Sequence, residues 1–307
     1  MAGQGTLIVA TDYNTIQSKI ALVLGTGSSD YGYNQQVLSS QVNNLNTKIT
    51  VTQWNNLRTD LLLARQHQTG TDQSANLALP TTSTTIKEAD RAAYNSFADV
   101  ITTNRLVVPP SSQYSLIPTV APVVRTNPWA STISYTLTLN FPGYTSGSTV
   151  VSAINNARAF FNAGGSVKFS ASFTNYTTDG SLGVNQSWAT LLTNMGTINF
   201  GAHATTNTGS GTPQAKGFFD LTTSDQLIFT KLVDPAYTPT YSPNQYDLYA
   251  RFGSTNAQII FTPTFSYTGG GNIHEAANGT LTSNVTILTP SGSNVSVAAP
   301  TTVSSTL

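Results

Sequence analysis

The chain has no cysteine. This removes disulfide frameworks, thiolate nucleophiles and cysteine-ligated metal sites together. Charge is the second scarcity. Asp, Glu, Lys and Arg make up 8% of the 307 residues, against roughly a quarter in an average soluble domain. The 13 basic and 13 acidic side chains cancel, so nothing here attracts a nucleic acid or an anionic membrane. Long apolar runs are missing too. Stretches such as 20–24 fall far short of the roughly 18 residues that a membrane span requires. Residues 1–11 carry neither the basic flank nor the apolar core of a secretory leader, and no obvious export route is expected.

Catalytic signatures are equally scarce. His67, His203 and His274 share no metal-ligand spacing, and there is no HExxH pair and no G-x-S-x-G nucleophile elbow. His274 with Glu275 follows three glycines and reads as a solvated loop. The acids of the C-terminal half (Asp179, Asp220, Asp225, Asp234, Asp247 and Glu275) show no spacing that pairs two carboxylates for glycoside hydrolysis; near turns, capping is the stronger reading. The glycine loop GTGSSDYGY, residues 25–33, follows a helix and lacks Gly-Lys-Ser/Thr. It reads as a flexible connector and not as a phosphate cradle. No catalytic, metal or cofactor residue is assigned, and a non-enzymatic protein is expected.

What the chain does have is a 39% hydrophobic content, enough for a real core, and a polar remainder of Ser, Thr, Asn, Gln and Gly. The stretch 150–173, VVSAINNARAFFNAGGSVKFSASF, organises the C-terminal half. Val150, Ile154, Ala157 and Phe161 fall at helical spacing, and Gly164 and Gly165 stop the helix. Val167, Phe169, Ala171 and Phe173 then alternate with Lys168, Ser170 and Ser172 as a half-buried strand does. Ile133 to Phe141 alternates in the same way, so strand, helix, double glycine and strand form one expected packing unit.

The first 106 residues read as a helical module. Asp12 or Thr11 caps a helix whose stripe is Ile16, Ile20, Val23 and Leu24, ending at Gly25. A second runs from Gln53 to about Gln68, capped by Thr52, with Trp54, Leu57, Leu61 and Ala64 on one face and Gly70 as its stop. A third begins at Thr85, which has capping-box spacing to Glu88, and presents Ala93, Phe97, Val100 and Ile101. Ile16, Ile20, Trp54, Leu57, Leu61 and Phe97 are the candidate assembly residues. Packing of the same stripes within the chain is an equally open alternative.

Residues 107–130 contain Pro109, Pro110, Pro118, Pro122 and Pro128 and read as an extended linker. From 131 to 307, short strands are expected at Thr197–Ala202, Gln226–Lys231, Tyr246–Phe252, Gln258–Tyr267 and Thr280–Leu288, with a short helix around Trp188–Met195. Pro263 places its strand at an edge or bulge. The expected class is α+β, mainly β: a helical module, then an antiparallel β-sandwich with short helical insertions. Among the aromatic residues, Tyr237, Tyr241 and Trp129 are candidates for a sugar-stacking face, while Tyr246 alternates into a core.

Four segments carry a resemblance. ATDYNTIQSKIALVLGTGSSDYGY, TVTQWNNLRTDLLLARQHQTG, ARAFFNAGGSVKFSASFT and WATLLTNMGTINFG resemble segments of virion structural proteins of contractile-tailed cyanobacterial phages, in the same order along most of the chain. The resemblance implies a particle component of the neck, tail, baseplate or fibre type. Its expected partners are other virion proteins and copies of itself, with no nucleic acid and no membrane, and its expected place is the virion, reached from the host cytoplasm. The alternative is a receptor-binding fibre or adhesin that recognises host surface glycans. A particle-borne polysaccharide hydrolase is the third reading.

Overall fold

The computed structural model describes residues 8–43, 48–82, 86–117, 120–146, 149–177, 183–237, 240–241, 244–267 and 276–307. The class is α+β, with helices first and antiparallel strands after them. The chain forms two compact units, and both are discontinuous. One comprises residues 1–115, 143–165 and 289–298; the other comprises 116–142, 166–288 and 299–307. The division therefore does not follow the single boundary expected at 107–130.

Three helices pack the core of the first unit: α1 (Ala10–Leu24), α2 (Val51–Thr69) and α3 (Glu88–Thr103). Each contributes one aromatic ring to a central stack. Tyr13 meets Trp54 edge-on at 5.3 Å between centroids, and Trp54 meets Tyr94 at 5.2 Å. Ile16, Ile20, Val23, Leu57, Leu61, Ala98 and Ile101 complete a fully buried cluster. The helix ends follow local chemistry. At α2, Thr50 accepts from the Gln53 N–H, and Gly70 closes the helix in the left-handed region at φ 71°. The cap of α2 thus lies at Thr50 and not at Thr52, and for α1 the Asp12 carboxylate accepts from the Val9 N–H just before the helix. The expected cap Thr85 lies outside the described residues, and α3 starts at Glu88.

The expected face of α3 is rotated. Tyr94, Ala98 and Ile101 are buried, Ala93 and Val100 are exposed, and Phe97 packs only partly against the cluster. The cause is Tyr94, whose ring must reach Trp54 while its hydroxyl donates to the Ala78 carbonyl at 2.8 Å.

The connector at 25–33 is tied down, contrary to the expectation of a flexible loop. Arg105 pairs with Asp30 and lays its guanidinium 4.2 Å over the Tyr31 ring. Arg158 donates to the Ser29 and Tyr31 carbonyls at 3.0 and 2.8 Å. Gly32, at φ 103°, admits no side chain, because a Cβ there would sit 2.1 Å from the Thr26 carbonyl oxygen.

Arg158 belongs to α4 (Ala153–Asn162), the helix of the organising stretch. This helix, together with the hairpin of Tyr144–Ser146 and Thr149–Val151, lies in the first unit and not in the C-terminal one. Its inward face is partly polar, which explains the difference. Asn156 donates to the Ala298 carbonyl at 3.0 Å and Asn162 to the Gly32 carbonyl at 3.2 Å. Ala157 and Phe161 are buried as expected, but Val150 and Ile154 face outward at 81% and 44% exposure. Gly164 (φ 83°) and Gly165 then carry the chain into the second unit, where Ser166 begins a strand.

Two antiparallel sheets make the second unit's core. One orders Tyr114–Ile117, Thr280–Pro290, Ser166–Thr174, Ile198–Phe200 and Thr205–Asn207, with Val123–Arg125 also pairing onto Thr280–Pro290. The expected linker is thus extended, but it contributes strands to a sheet. The other sheet orders Thr212–Pro213, Gln226–Leu232, Gln245–Phe252, Gln258–Ser266, Leu137–Asn140 and Thr301–Ser304. Strict alternation sets the register. Val167, Phe169, Ala171 and Phe173 lie opposite Ile287, Val285, Ser283 and Leu281. They meet the other sheet through Phe261, which packs 5.0 Å from Phe169 and 5.1 Å from Phe200. The one polar inward residue of that ladder, Ser283, bonds the Tyr135 hydroxyl at 2.8 Å.

Pro263 sits mid-strand in the centre of its sheet, not at an edge. Its carbonyl accepts from the Tyr135 N–H, so its missing N–H faces the same neighbour. That neighbour is interrupted there: Ile133–Ser134 and Leu137–Asn140 flank a gap at Tyr135–Thr136. The interruption accommodates the proline.

Candidate functional site

Helix α5 (Val184–Met195) lies in the β unit with two unlike faces. Val184, Trp188, Leu191, Leu192 and Met195 recur at helical spacing and are buried. The opposite face is small, neutral and polar, formed by Gln186, Ala189, Thr190 and Thr193 at positions i, i+3, i+4 and i+7. Beside it the strand Ser166–Thr174 ends and the chain turns through Asn175, whose φ is 54°. Tyr176 follows, and its ring stacks parallel on Phe173 at 5.6 Å and 9°. Gly279 makes room for this pair, because a Cβ there would lie 2.8 Å from the Phe173 ring.

The helix face and the turn enclose an open cleft of about 600 Å³, completed by Thr174 and Asn194. A chain of side-chain hydrogen bonds stiffens one wall. The Tyr176 hydroxyl donates to Gln186 at 3.0 Å, the Gln186 amide donates to Thr190 at 3.4 Å, and Thr190 shares a 3.2 Å bond with the Tyr237 hydroxyl. The Asn194 amide donates to Asp234 at 3.4 Å. Thr174 and Thr193 are exposed and make no side-chain hydrogen bond among the described residues. Among the described residues, every lining side chain is uncharged.

The residues that the sequence put forward as sites lie elsewhere. Ile16, Ile20, Trp54, Leu57 and Leu61 are at most 3% exposed in the first unit's own core, and Phe97 packs partly on it. They hold the three helices to one another and offer no docking stripe. The three candidate sugar-stacking rings are also interior. Trp129 is held by paired backbone bonds to Ala277, and its ring meets Trp188 at 4.7 Å. Tyr237 and Tyr241 are 8% and 4% exposed. Only Tyr237 touches the cleft, from behind, through Thr190. Sequence reasoning passed over Tyr176 and Gln186. The readable signal was an amphipathic helix whose polar face carries no charge.

Among the described residues, the acid and histidine positions do not converge on one site. His67 is fully buried, and its Nε2 lies 3.0 Å from the Ala163 carbonyl. Burial pulls its pKa down to about 4. His203 stacks on Phe219, 4.0 Å from Asp220, whose carboxylate accepts from the Gly217 N–H. Asp234 accepts from the Ala236 N–H, and Asp225 pairs with Arg251 at 3.2 Å. Asp247 accepts from the Gln245 amide. Asp179, His274 and Glu275 lie outside the described residues. Among the described residues, no group of three or more His, Asp or Glu side chains is placed to hold a metal, and no helix is long and apolar enough to cross a membrane. The chain matches no protein-family model, no curated protein and no solved structure.

Proposed function

We propose that this chain is a non-enzymatic structural component of a tailed-phage virion, of the neck, tail, baseplate or fibre, acting through contacts with copies of itself and with other virion proteins. One observation carries the reading: the outward faces of both sheets are ladders made mostly of hydroxyl and amide groups, interrupted by Lys168 opposite Thr286 on the first and by Asp247 and Arg251 on the second. On the first sheet Ser172 faces Thr282 and Ser170 faces Asn284. On the second, Thr262, Thr264 and Thr138 occupy the outward positions, and Gln258 donates to Asn140 at 2.8 Å. All are half-buried in the isolated chain. A face with few ions loses little when water is displaced, because little charge has to be desolvated. The resemblance of four segments to phage virion proteins supplies the kind of assembly, and the balanced charge disfavours a nucleic-acid partner.

Mass spectrometry of purified particles tests the placement, and sedimentation of the purified chain tests its self-association. The expected outcome is the chain in the particle at a stoichiometric copy number, with an oligomer in solution. A strictly monomeric chain that is absent from particles overturns the proposal. Thr282→Lys, which puts a charge between Ser172 and Val124 on the first sheet's outward ladder, is expected to weaken association at least about tenfold while leaving the fold intact.

A further inference from the structure

We infer that the cleft on the outward face of α5 is a binding site for a neutral saccharide. Three observations converge on it. The first is chemistry: a cleft of about 600 Å³ has the capacity of a small-molecule site, and among the described residues its lining presents hydroxyl, amide and aromatic groups without a charge. Pyranoses offer the complementary surface, hydroxyls around the rim and an apolar C–H face. The second is a rigid shelf. Tyr176 lines the cleft while Phe173 backs its ring, so the aromatic surface is fixed before any ligand arrives. The third is preorganisation of the polar groups. Tyr176, Gln186 and Thr190 are held in one hydrogen-bonded series anchored on the interior Tyr237, while the hydroxyls of Thr174 and Thr193 are left to a ligand. Ala189, between Gln186 and Thr193 on the same helix face, keeps the floor open. Larger side chains there would fill it.

Charged ligands fit poorly, because an ionised sugar would meet no countercharge among the described lining residues and would lose hydration on entry. The inference does not rest on the virion reading, and it holds or fails on binding alone.

The test uses the full-length chain with cellohexaose, maltohexaose and chitotetraose as neutral probes, and with oligogalacturonate and chitosan oligomers as charged ones. Saturation-transfer NMR and calorimetric titration give the affinities. At least one neutral probe is expected to saturate below about 10 mM. Tyr176→Ala and Ala189→Leu are expected to weaken it at least about tenfold, while Tyr176→Phe, which keeps the ring but breaks the bond to Gln186, weakens it less than Tyr176→Ala does. Circular dichroism checks folding. Thr193→Lys, at an exposed helix position, serves as the blocking variant if the leucine variant misfolds. No saturable binding of any neutral probe overturns the inference. So does binding that the blocking variants leave unchanged, or equal binding of the charged probes.

Discussion

The two units bury their cores by different means. The β unit follows a period of two in its long strands: inward positions are mostly apolar and outward ones mostly polar. The helical unit is braided from three separated lengths of chain, and polar groups that find partners far along the sequence hold it together. Asp60, fully buried, accepts from the Leu38 and Ser39 N–H groups and from the Ser39 hydroxyl. The Asn14 amide brackets Val42 with two bonds of 2.9 and 2.8 Å. His67 and Asn162 complete the pattern from α2 and α4. A chain with so few charges thus places two ionisable side chains, Asp60 and His67, in the interior of its helical unit.

The largest expected effect tests what the units share. Truncating a central ring in either core removes a fully packed side chain and leaves a cavity. Trp54→Ala and Phe261→Ala are each expected to cost about 4 kcal/mol in urea unfolding. Hydrogen exchange then sharpens the comparison. Protection is expected to fall first in α1–α3 for Trp54→Ala, and in the strands Ser166–Thr174 and Gln258–Ser266 for Phe261→Ala. The same loss pattern for both variants would mean that the two cores are not separate.

Acid distinguishes the units next. His67 titrates near 6.5 when free and near 4 in the fold. The unfolded chain therefore binds its proton first, and stability falls as pH drops from about 6.5 to 4. At ~1.36 kcal/mol per pH unit the full loss is about 3 kcal/mol. Asp60 opposes this. Burial raises its pKa against the pull of its three hydrogen bonds, so its protonation favours the fold and returns some stability as pH falls. The expected net result is a decline of less than about 3 kcal/mol between pH 7 and 4.5. His67→Leu should flatten it, whatever its own cost at neutral pH. An unchanged slope in that variant would remove His67 as the cause.

This contrast also explains how far the sequence could be read. Alternation at 167–173 is decided by neighbours two residues apart, so the strand and its inward face were legible, as were Gly70 and the double glycine as stops. The location of α4 was not. Its inward face includes Asn156 and Asn162, and a helical-period argument counts asparagine as surface. Their partners, the carbonyls of Ala298 and Gly32, lie 142 and 130 residues away. The aromatic candidates failed for a related reason. A tyrosine with a buried ring and a bonded hydroxyl looks, in sequence, the same as one that faces solvent. The cleft was hidden because Tyr176 and Gln186 meet only once the turn at Asn175 is formed.

The finest test of the alternation uses two adjacent residues of one strand. Ser283 points inward, and its hydroxyl is the partner of Tyr135, a buried phenol whose pKa burial raises to about 12. Thr282 points outward, half-buried, opposite Ser172 and Val124. Ser283→Val orphans the Tyr135 hydroxyl and enlarges a packed position, so a loss of about 2 kcal/mol is expected. Thr282→Val keeps β-branching and shape and removes only a solvated hydroxyl; its effect should stay within about 0.5 kcal/mol. Urea midpoints of the two variants measure the difference directly. Equal losses would mean that the outward ladder supports the fold no less than the core does, and that it is therefore not free to meet another subunit.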